Sequence, residues 1–270
     1  MDKLLSYEAW KQAQTEARAA GLRLSNCFFL PAELRKKLEA GVLYLQRAEN
    51  ALYLLEDGGS FWRCYYWFSP DALPGALRLD REAVVEFPFS GELNENQRRQ
   101  IGLLEGLGFI LARESGMMSC APDGLIPHPL PETEQIRSAL PEELPEILAL
   151  LERSFDPRFA FLPTLEELRL AAEEDRVLVA LREGRVAGAL HAGFEKSVAT
   201  VRQIAVDREY RGHGLGKSLL EAYHRRFAGQ ATAFQHWVDL HNRPALAMYE
   251  SFGYGFSLRK ANEYILAPKH

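Results

Sequence analysis

The densest chemical signal in this 270-residue sequence is Arg211-Gly212-His213-Gly214-Leu215-Gly216, set between an apolar strand pattern ending at Val206 and an amphipathic helix pattern. Strand, glycine loop and helix in that order form an anion-binding arrangement. The first N–H groups of a helix have no partner of their own, and the helix dipole places partial positive charge there. Glycines let the backbone close on phosphate oxygens. Lys217 and Ser218 would add side-chain donors. Two familiar phosphate motifs do not fit. Gly216-Lys217-Ser218 matches the end of a Walker loop, but position 211, where its first glycine belongs, is arginine. A dinucleotide fingerprint opens an early strand–helix unit, whereas these glycines come late, behind antiparallel hairpin strands.

The loop resembles instead the pyrophosphate loop of the GNAT superfamily of N-acyltransferases. That pattern is arginine or glutamine, two residues, glycine, one residue, then glycine or alanine, and Arg211 to Gly216 match it in full. Gln203 to Tyr210 is similar to the family's fourth strand and its exit, and Val238 to Phe256 is similar to its second conserved motif. The resemblance runs from about Thr133 to the end and implies acetyl-CoA as cosubstrate, with no metal. Main-chain groups of Ile204, Ala205 and Val206 would meet the pantetheine arm. Arg211, Gly212, His213, Gly214, Leu215, Gly216, Lys217 and Ser218 would hold the pyrophosphate. Asn242 would contact the cofactor arm, and Tyr249 would lie near the thioester sulfur as general acid.

Such chemistry is direct attack of an amine on a thioester carbonyl, through a tetrahedral oxyanion, with CoA leaving as a thiolate that benefits from a proton donor. A proton acceptor for the amine is not identified by the sequence. The fourth strand carries Thr200 and Arg202 where the family often has glutamate or histidine, which leaves His191 and His236 as candidates. Arg202 is either an anchor for a substrate carboxylate or half of a structural ion pair. Tyr249 is alternatively a packed helix tyrosine, Asn242 a helix N-cap, and His213 an exposed loop residue. The expected function is transfer of acetyl to a primary amine of a small molecule or peptide. A non-catalytic CoA-binding regulatory or scaffold protein, or a transferase of a larger acyl group, is the alternative.

The elements that must position these residues follow from periodicity. Gln135–Leu140 reads as a strand, Pro141 opens a helix with Leu144, Ile147, Leu148, Leu151 and Phe155 on one face, and Thr164 with Glu167 forms a capping box. Residues 177–181 and 186–194 read as a hairpin around Glu183-Gly184, and 198–206 as a further strand. Helix, strand and helix follow over 215–227, 233–240 and 243–252, and a strand pair is expected around Phe256 and Tyr264. The fold class is an α/β (α+β) mixed sheet, GNAT-like, in two tandem domains.

The expected organisation is a worn GNAT-like copy at 1–120, a linker at 121–132 with four prolines, and a catalytic domain at 133–270. Residues 51–68 read as strand–turn–strand, and the helix pattern ending Leu104-Glu105-Gly106-Leu107-Gly108-Phe109 resembles Tyr249 to Tyr254 at an offset that sets Gln97 at the asparagine position. No phosphate loop lies between them, and 69–96 is too short for fourth strand, loop and helix, so this half should not bind CoA. The aromatic run Trp62, Tyr65, Tyr66, Trp67, Phe68 reads as strand core plus interface, with the lining of a substrate pocket as the alternative, and the uses open to this half are an acceptor pocket, a homodimer surface or a sheet continued across the two halves.

Apolar residues make up 47% of the chain, which suits a globular core, and the net charge of −5 gives no general attraction to nucleic acid or anionic membrane. With no signal-peptide or membrane-span pattern, a cytoplasmic protein is expected. Cys27, Cys64 and Cys120 are too scattered for a metal motif and read as buried free thiols.

Overall fold

The computed structural model describes residues 1–130 and 135–268. They divide into two compact units, Met1–Glu114 with the segment from Arg259 onward, and Ser115–Leu258.

The first unit begins with β1 (Asp2–Lys3), α1 (Tyr7–Ala19), β2 (Leu24–Ser25) and α2 (Pro31–Glu39). A meander of β3 (Leu43–Ala48), β4 (Ala51–Asp57) and β5 (Phe61–Phe68) follows, then β6 (Glu82–Ser90), α3 (Glu95–Leu107) and the start of β7 (Ile110–Cys120). Alternation along β5 sends Trp62, Cys64, Tyr66 and Phe68 into one core and Tyr65 and Trp67 into another on the opposite face, so the aromatic run is core. Its length therefore contains the fourth-strand counterpart that 69–96 was expected to lack. What is missing is the glycine loop and its helix, because only a loop joins β5 to β6. The α3 cap is Asn94, with Gln97 completing its capping box, so Gln97 does not hold the N-cap position.

β5 and β6 run parallel, but their pairing stops at Arg63 and Val84. The buried Asn26 amide occupies the gap: its Nδ2 donates to the carbonyls of Cys64 (3.3 Å) and Glu86 (3.1 Å), and its Oδ1 accepts from Tyr66 N–H (2.9 Å). Asn26→Ala strands these main-chain groups. At about 1 kcal/mol or more for each buried group, we expect a loss of about 3 kcal/mol, read as a lower urea midpoint at unchanged m-value.

The second unit holds β8 (Gln135–Ser138), α4 (Leu144–Ser154), α5 (Leu165–Glu173), β9 (Val177–Arg182), β10 (Arg185–Glu195), β11 (Val198–Val206), α6 (Leu215–Phe227), β12 (Ala233–Asp239), α7 (Arg243–Ser251) and the start of β13 (Gly255–Leu266). The local signals explain these elements. Thr164 Oγ1 accepts from Glu167 N–H while the Glu167 carboxylate accepts from Thr164 N–H, closing the α5 capping box. Glu183 (φ 51°) and Gly184 (φ 75°) are both left-handed, as a two-residue hairpin turn requires. α4 and α5 bury Ile147, Leu151 and Leu168 against one face of the sheet, and α6 and α7 bury Leu219, Tyr223 and Tyr249 against the other.

Three expectations are corrected. β13 is one continuous strand where a strand pair was expected: through Asn262 it passes from Phe256 to Tyr264 without a turn. The proline-rich segment is no free linker in its described part, 121–130. There Ile126 N–H bonds the Phe252 carbonyl (3.0 Å), His128 N–H bonds Glu221 and its ring meets the Ser251 carbonyl, all within the second unit. Residues 131 and 132 of it lie outside the described residues. Finally, the last strands are exchanged. Ser115–Cys120 of β7, which follows α3, pairs with β12 in the second unit, whereas Arg259–Leu266 of β13, which follows α7, pairs with β6 in the first.

Candidate active site

β11 ends at Val206, and the next residue, Asp207, has a carboxylate that accepts from Glu209 N–H and pairs with Arg153 of α4, fixing the short turn Arg208–Tyr210. Arg211 then folds back so that its Nε donates to the Val206 carbonyl (2.9 Å), which makes its side chain a brace for the loop. Gly212 (φ 83°) and Gly214 (φ 86°) are left-handed, and Gly214 is the N-cap of α6 without any side-chain cap. The first helical bond is Ser218 N–H to the Gly214 carbonyl. Among the described residues the N–H groups of Gly212, His213, Gly214, Leu215, Gly216 and Lys217 make no hydrogen bond. α1 to α5 each carry an acidic residue in the first turn, whereas α6 and α7 carry none. The positive end of α6 is thus left for an external anion. Ser218 is buried on the inner side of α6, so its hydroxyl does not join this row, while Lys217 and His213 are exposed. Arg182, Tyr210, His213 and Leu215 line a pocket of about 260 Å³ beside the loop. Arg182 ends a hairpin strand remote in sequence, and no motif marked it.

Beyond the loop the sheet opens. β11 and β12 pair in parallel from Val198–Ala233 to Val201–His236 and then part. On the other edge β11 stays paired with β10, and Asp207 N–H bonds the Ala187 carbonyl. Alternation from that bond turns the main-chain groups of Ala205 toward β10 and those of Ile204 and Val206 toward the open edge. Ala205 is therefore not placed to offer main-chain groups to a ligand there, and the Val206 carbonyl already accepts from Arg211. Ile204 keeps both.

Tyr249 lies where the strands part. Its ring stacks on His236 with centroids 3.4 Å apart, and its hydroxyl makes no hydrogen bond among the described residues. Burial pushes the Tyr249 phenol well above its ordinary range. His236 is 1% exposed with neither ring nitrogen hydrogen-bonded, and burial pulls it down to about 3, so it is neutral at pH 7. Asn242 caps α7 by accepting from Ala245 N–H (3.2 Å), which leaves its Nδ2 unengaged.

The face toward α4 and α5 carries a second polar group. A bulge at Arg202 sets His191 opposite Gln203 and Ala192 opposite Val201. It brings Gln203 onto this face beside Ala205. Gln203 Nε2 donates to the Phe161 carbonyl (2.8 Å), and its Oε1 faces His191 Nδ1 (2.8 Å). Arg202 lies over Gly193, where a Cβ would come within 2.7 Å of its Nε. Both candidate bases are buried, His191 (7% exposed) on the α4–α5 face and His236 (1% exposed) in the core under α6 and α7.

Cys27 is half-buried, against the expected full burial, while Cys64 and Cys120 are buried; all three are free. Among the described residues no group of metal-ligating side chains is found, and no helix is long and apolar enough to cross a membrane.

A glycine loop capping a helix with free N–H groups, next to a parallel strand pair that parts, defines a GNAT-type acyltransferase fold. Residues 144–254 match the family model described as Acetyltransferase (GNAT) family, so this segment is a GNAT domain. Among solved structures, the chain is similar to a GCN5-related N-acetyltransferase from Sphaerobacter thermophilus (16% identity, TM-score 0.56, 81% of this chain and 76% of that one). It is also similar to a tandem GNAT protein from the clavulanic acid biosynthesis pathway (15%, TM-score 0.52, 85% of each chain). An acetyltransferase of the GNAT family from Colwellia psychrerythraea covers 98% of both chains at 12% identity and TM-score 0.53. At these identities the likeness is one of fold. No curated protein matches by sequence.

Proposed function

We propose that the second unit transfers an acetyl group from acetyl-CoA to a primary amine of a small molecule or peptide, in the cytoplasm and without a metal. The observation that carries this reading is the row of unpartnered N–H groups from Gly212 to Lys217, next to the open edge of β11. The residues fit such a donor. The loop offers main-chain hydrogen bonds and dipole to a pyrophosphate, Ile204 offers strand-like pairing to an amide-bearing arm, and Asn242 Nδ2 offers a further donor. Tyr249 holds its proton at neutral pH and donates a hydrogen bond to the leaving sulfur. The orphaned His236 beneath it keeps that end of the cleft uncharged.

The first unit has the same succession of strands up to the parallel pair, and we read it as a worn copy. Its parted edge is filled by Asn26 and it has no phosphate loop, which supports one donor site per chain. Calorimetry with acetyl-CoA tests the reading, and no detectable binding would sink it. Once an acceptor is in hand, Tyr249→Phe should lower kcat about a hundredfold at unchanged acetyl-CoA affinity. Unchanged turnover would remove Tyr249 from the mechanism.

A further inference from the structure

The polar face on the α4–α5 side of the second unit says what kind of amine fits. Because Gln203 Nε2 is spent on the Phe161 carbonyl, its carbonyl oxygen is what His191 meets, and an oxygen requires a proton on Nδ1. Nε2 of His191 therefore carries the lone pair, and it makes no hydrogen bond among the described residues. Ala192 and Phe194 pack toward α6, so the Gly193 position faces the same side as His191, and the Arg202 guanidinium lies across it. Among the described residues Arg202 has no ion-pair partner, which removes the structural ion pair left open by the sequence. Thr200 and Gln235, bonded to each other, continue this floor next to the parting strands.

The charges around His191 are mostly positive. Arg202 of β11 and Arg176 before β9 both press on it, and among the described residues the acid that acts on it is Glu167 of α5, whose carboxylate accepts from Thr164 N–H at the α5 cap. Arg176 is paired with Glu174 and bonded to the Ala192 carbonyl. A polyamine or aminoglycoside would bring several positive charges against two arginines, while Glu167 and Glu174, the described acids beside them, already hold partners.

We propose, building on the acetyl-transfer reading, that the acceptor is a small amino carboxylate such as a free amino acid, its carboxylate seated on Arg202 and its amine against Nε2 of His191. The neutral amine nitrogen forms the new N–C bond at the thioester carbonyl, and the C–S bond breaks as the resulting tetrahedral oxyanion collapses. The nitrogen's proton passes to His191 Nε2, and the CoA sulfur, hydrogen-bonded by Tyr249, leaves with the electron pair and takes up a proton. Amide and free thiol are the products, and His191 returns its proton to solvent. Gln203 is a positioning residue that fixes the tautomer. Burial lowers the affinity of His191 for protons, so the base is in its reactive form from neutral pH down to below the ordinary imidazole range.

The test is a paired panel of amino acids and the amines that lack only the carboxylate, with spermidine and an aminoglycoside added, followed by thiol release from acetyl-CoA. Acetyl-CoA binding is measured separately by calorimetry. Turnover is expected for carboxylate-bearing members, about tenfold to a hundredfold above their decarboxylated partners, the range for a hydrogen bond to a charged group. Arg202→Met should raise KM for the former by a similar factor, leave the latter unchanged, and be partly rescued by Arg202→Lys. His191→Ala should lower kcat about a hundredfold or more, remove the acid limb of the pH profile, and leave acetyl-CoA affinity intact. Spermidine or simple amines turned over as well as amino acids, no turnover of any carboxylate-bearing member, or indifference to Arg202→Met overturns the inference. Absent acetyl-CoA binding would instead overturn the reading on which it rests.

Discussion

Gly214→Val is expected to weaken acetyl-CoA binding at least about a hundredfold while leaving the fold intact. Gly214 holds φ at 86° as the cap of α6, and a Cβ built there meets nothing within 4 Å. A valine therefore does not clash. Its cost is conformational, about 1–2 kcal/mol for an L-residue held left-handed and more for a β-branched one. The loop relieves that strain by rotating the peptide planes, and the N–H groups of 212–217 then no longer converge. Hydrogen bonds to a charged partner contribute about 1.5–3 kcal/mol each, so misaiming two of them accounts for the loss. Gly229→Val is the control. Gly229 is also left-handed (φ 73°), with equally open surroundings, but follows the other end of α6. Both variants should show the same small drop in stability, and calorimetry should find binding lost only in the first. Equal binding by the two would separate the loop from the pyrophosphate.

A fragment spanning 133–270, the boundaries the sequence suggests, is expected not to unfold cooperatively. It lacks Ser115–Cys120, which pairs along β12 from Asp239 to Phe234 and places Met118 and Cys120 in the core under α6 and α7. It also lacks Ile126 and His128, which bond the Phe252 and Ser251 carbonyls at the end of α7. Burying each large apolar side chain contributes about 1.5–3 kcal/mol, and a set of ladder bonds at about 1 kcal/mol each adds to it. The sum rivals the entire stability of about 5–15 kcal/mol for an ordinary domain. Extending the fragment to begin at 115 should restore a transition in urea. Cooperative unfolding and acetyl-CoA binding by 133–270 alone would show that the strand is dispensable.

The sequence made legible whatever is decided locally. The Thr164 box, the Glu183-Gly184 turn, the stripe of α6 and the glycine loop each depend on a few neighbouring residues, and all stand where their patterns put them. What depends on register did not show. The bulge at Arg202 turns Gln203 toward His191, yet nothing within 198–206 marks a bulge, because it exists only relative to β10. The same register turned Ala205 away from the open edge. Ser218 looked like a loop donor by position, but α6 buries it at the spacing of Leu215 and Leu219. Strand exchange lay furthest from view: β7 and β13 have the composition of any strand, and their partners are set by tertiary pairing.

That exchange also governs the order in which the protein can be made. Phe234 pairs with Cys120, and Ser90 with Arg259, so each unit closes on strands that lie 114 and 169 residues apart, respectively. While the chain leaves the ribosome, β6 presents an open edge until the residues after Arg259 emerge, and Ser115–Cys120 waits for β12. Contacts of such long range close slowly and leave strand edges exposed in the interval. Nascent chains stalled before residue 259 should consequently be protease-sensitive in the first unit, which still lacks the strand that pairs with β6.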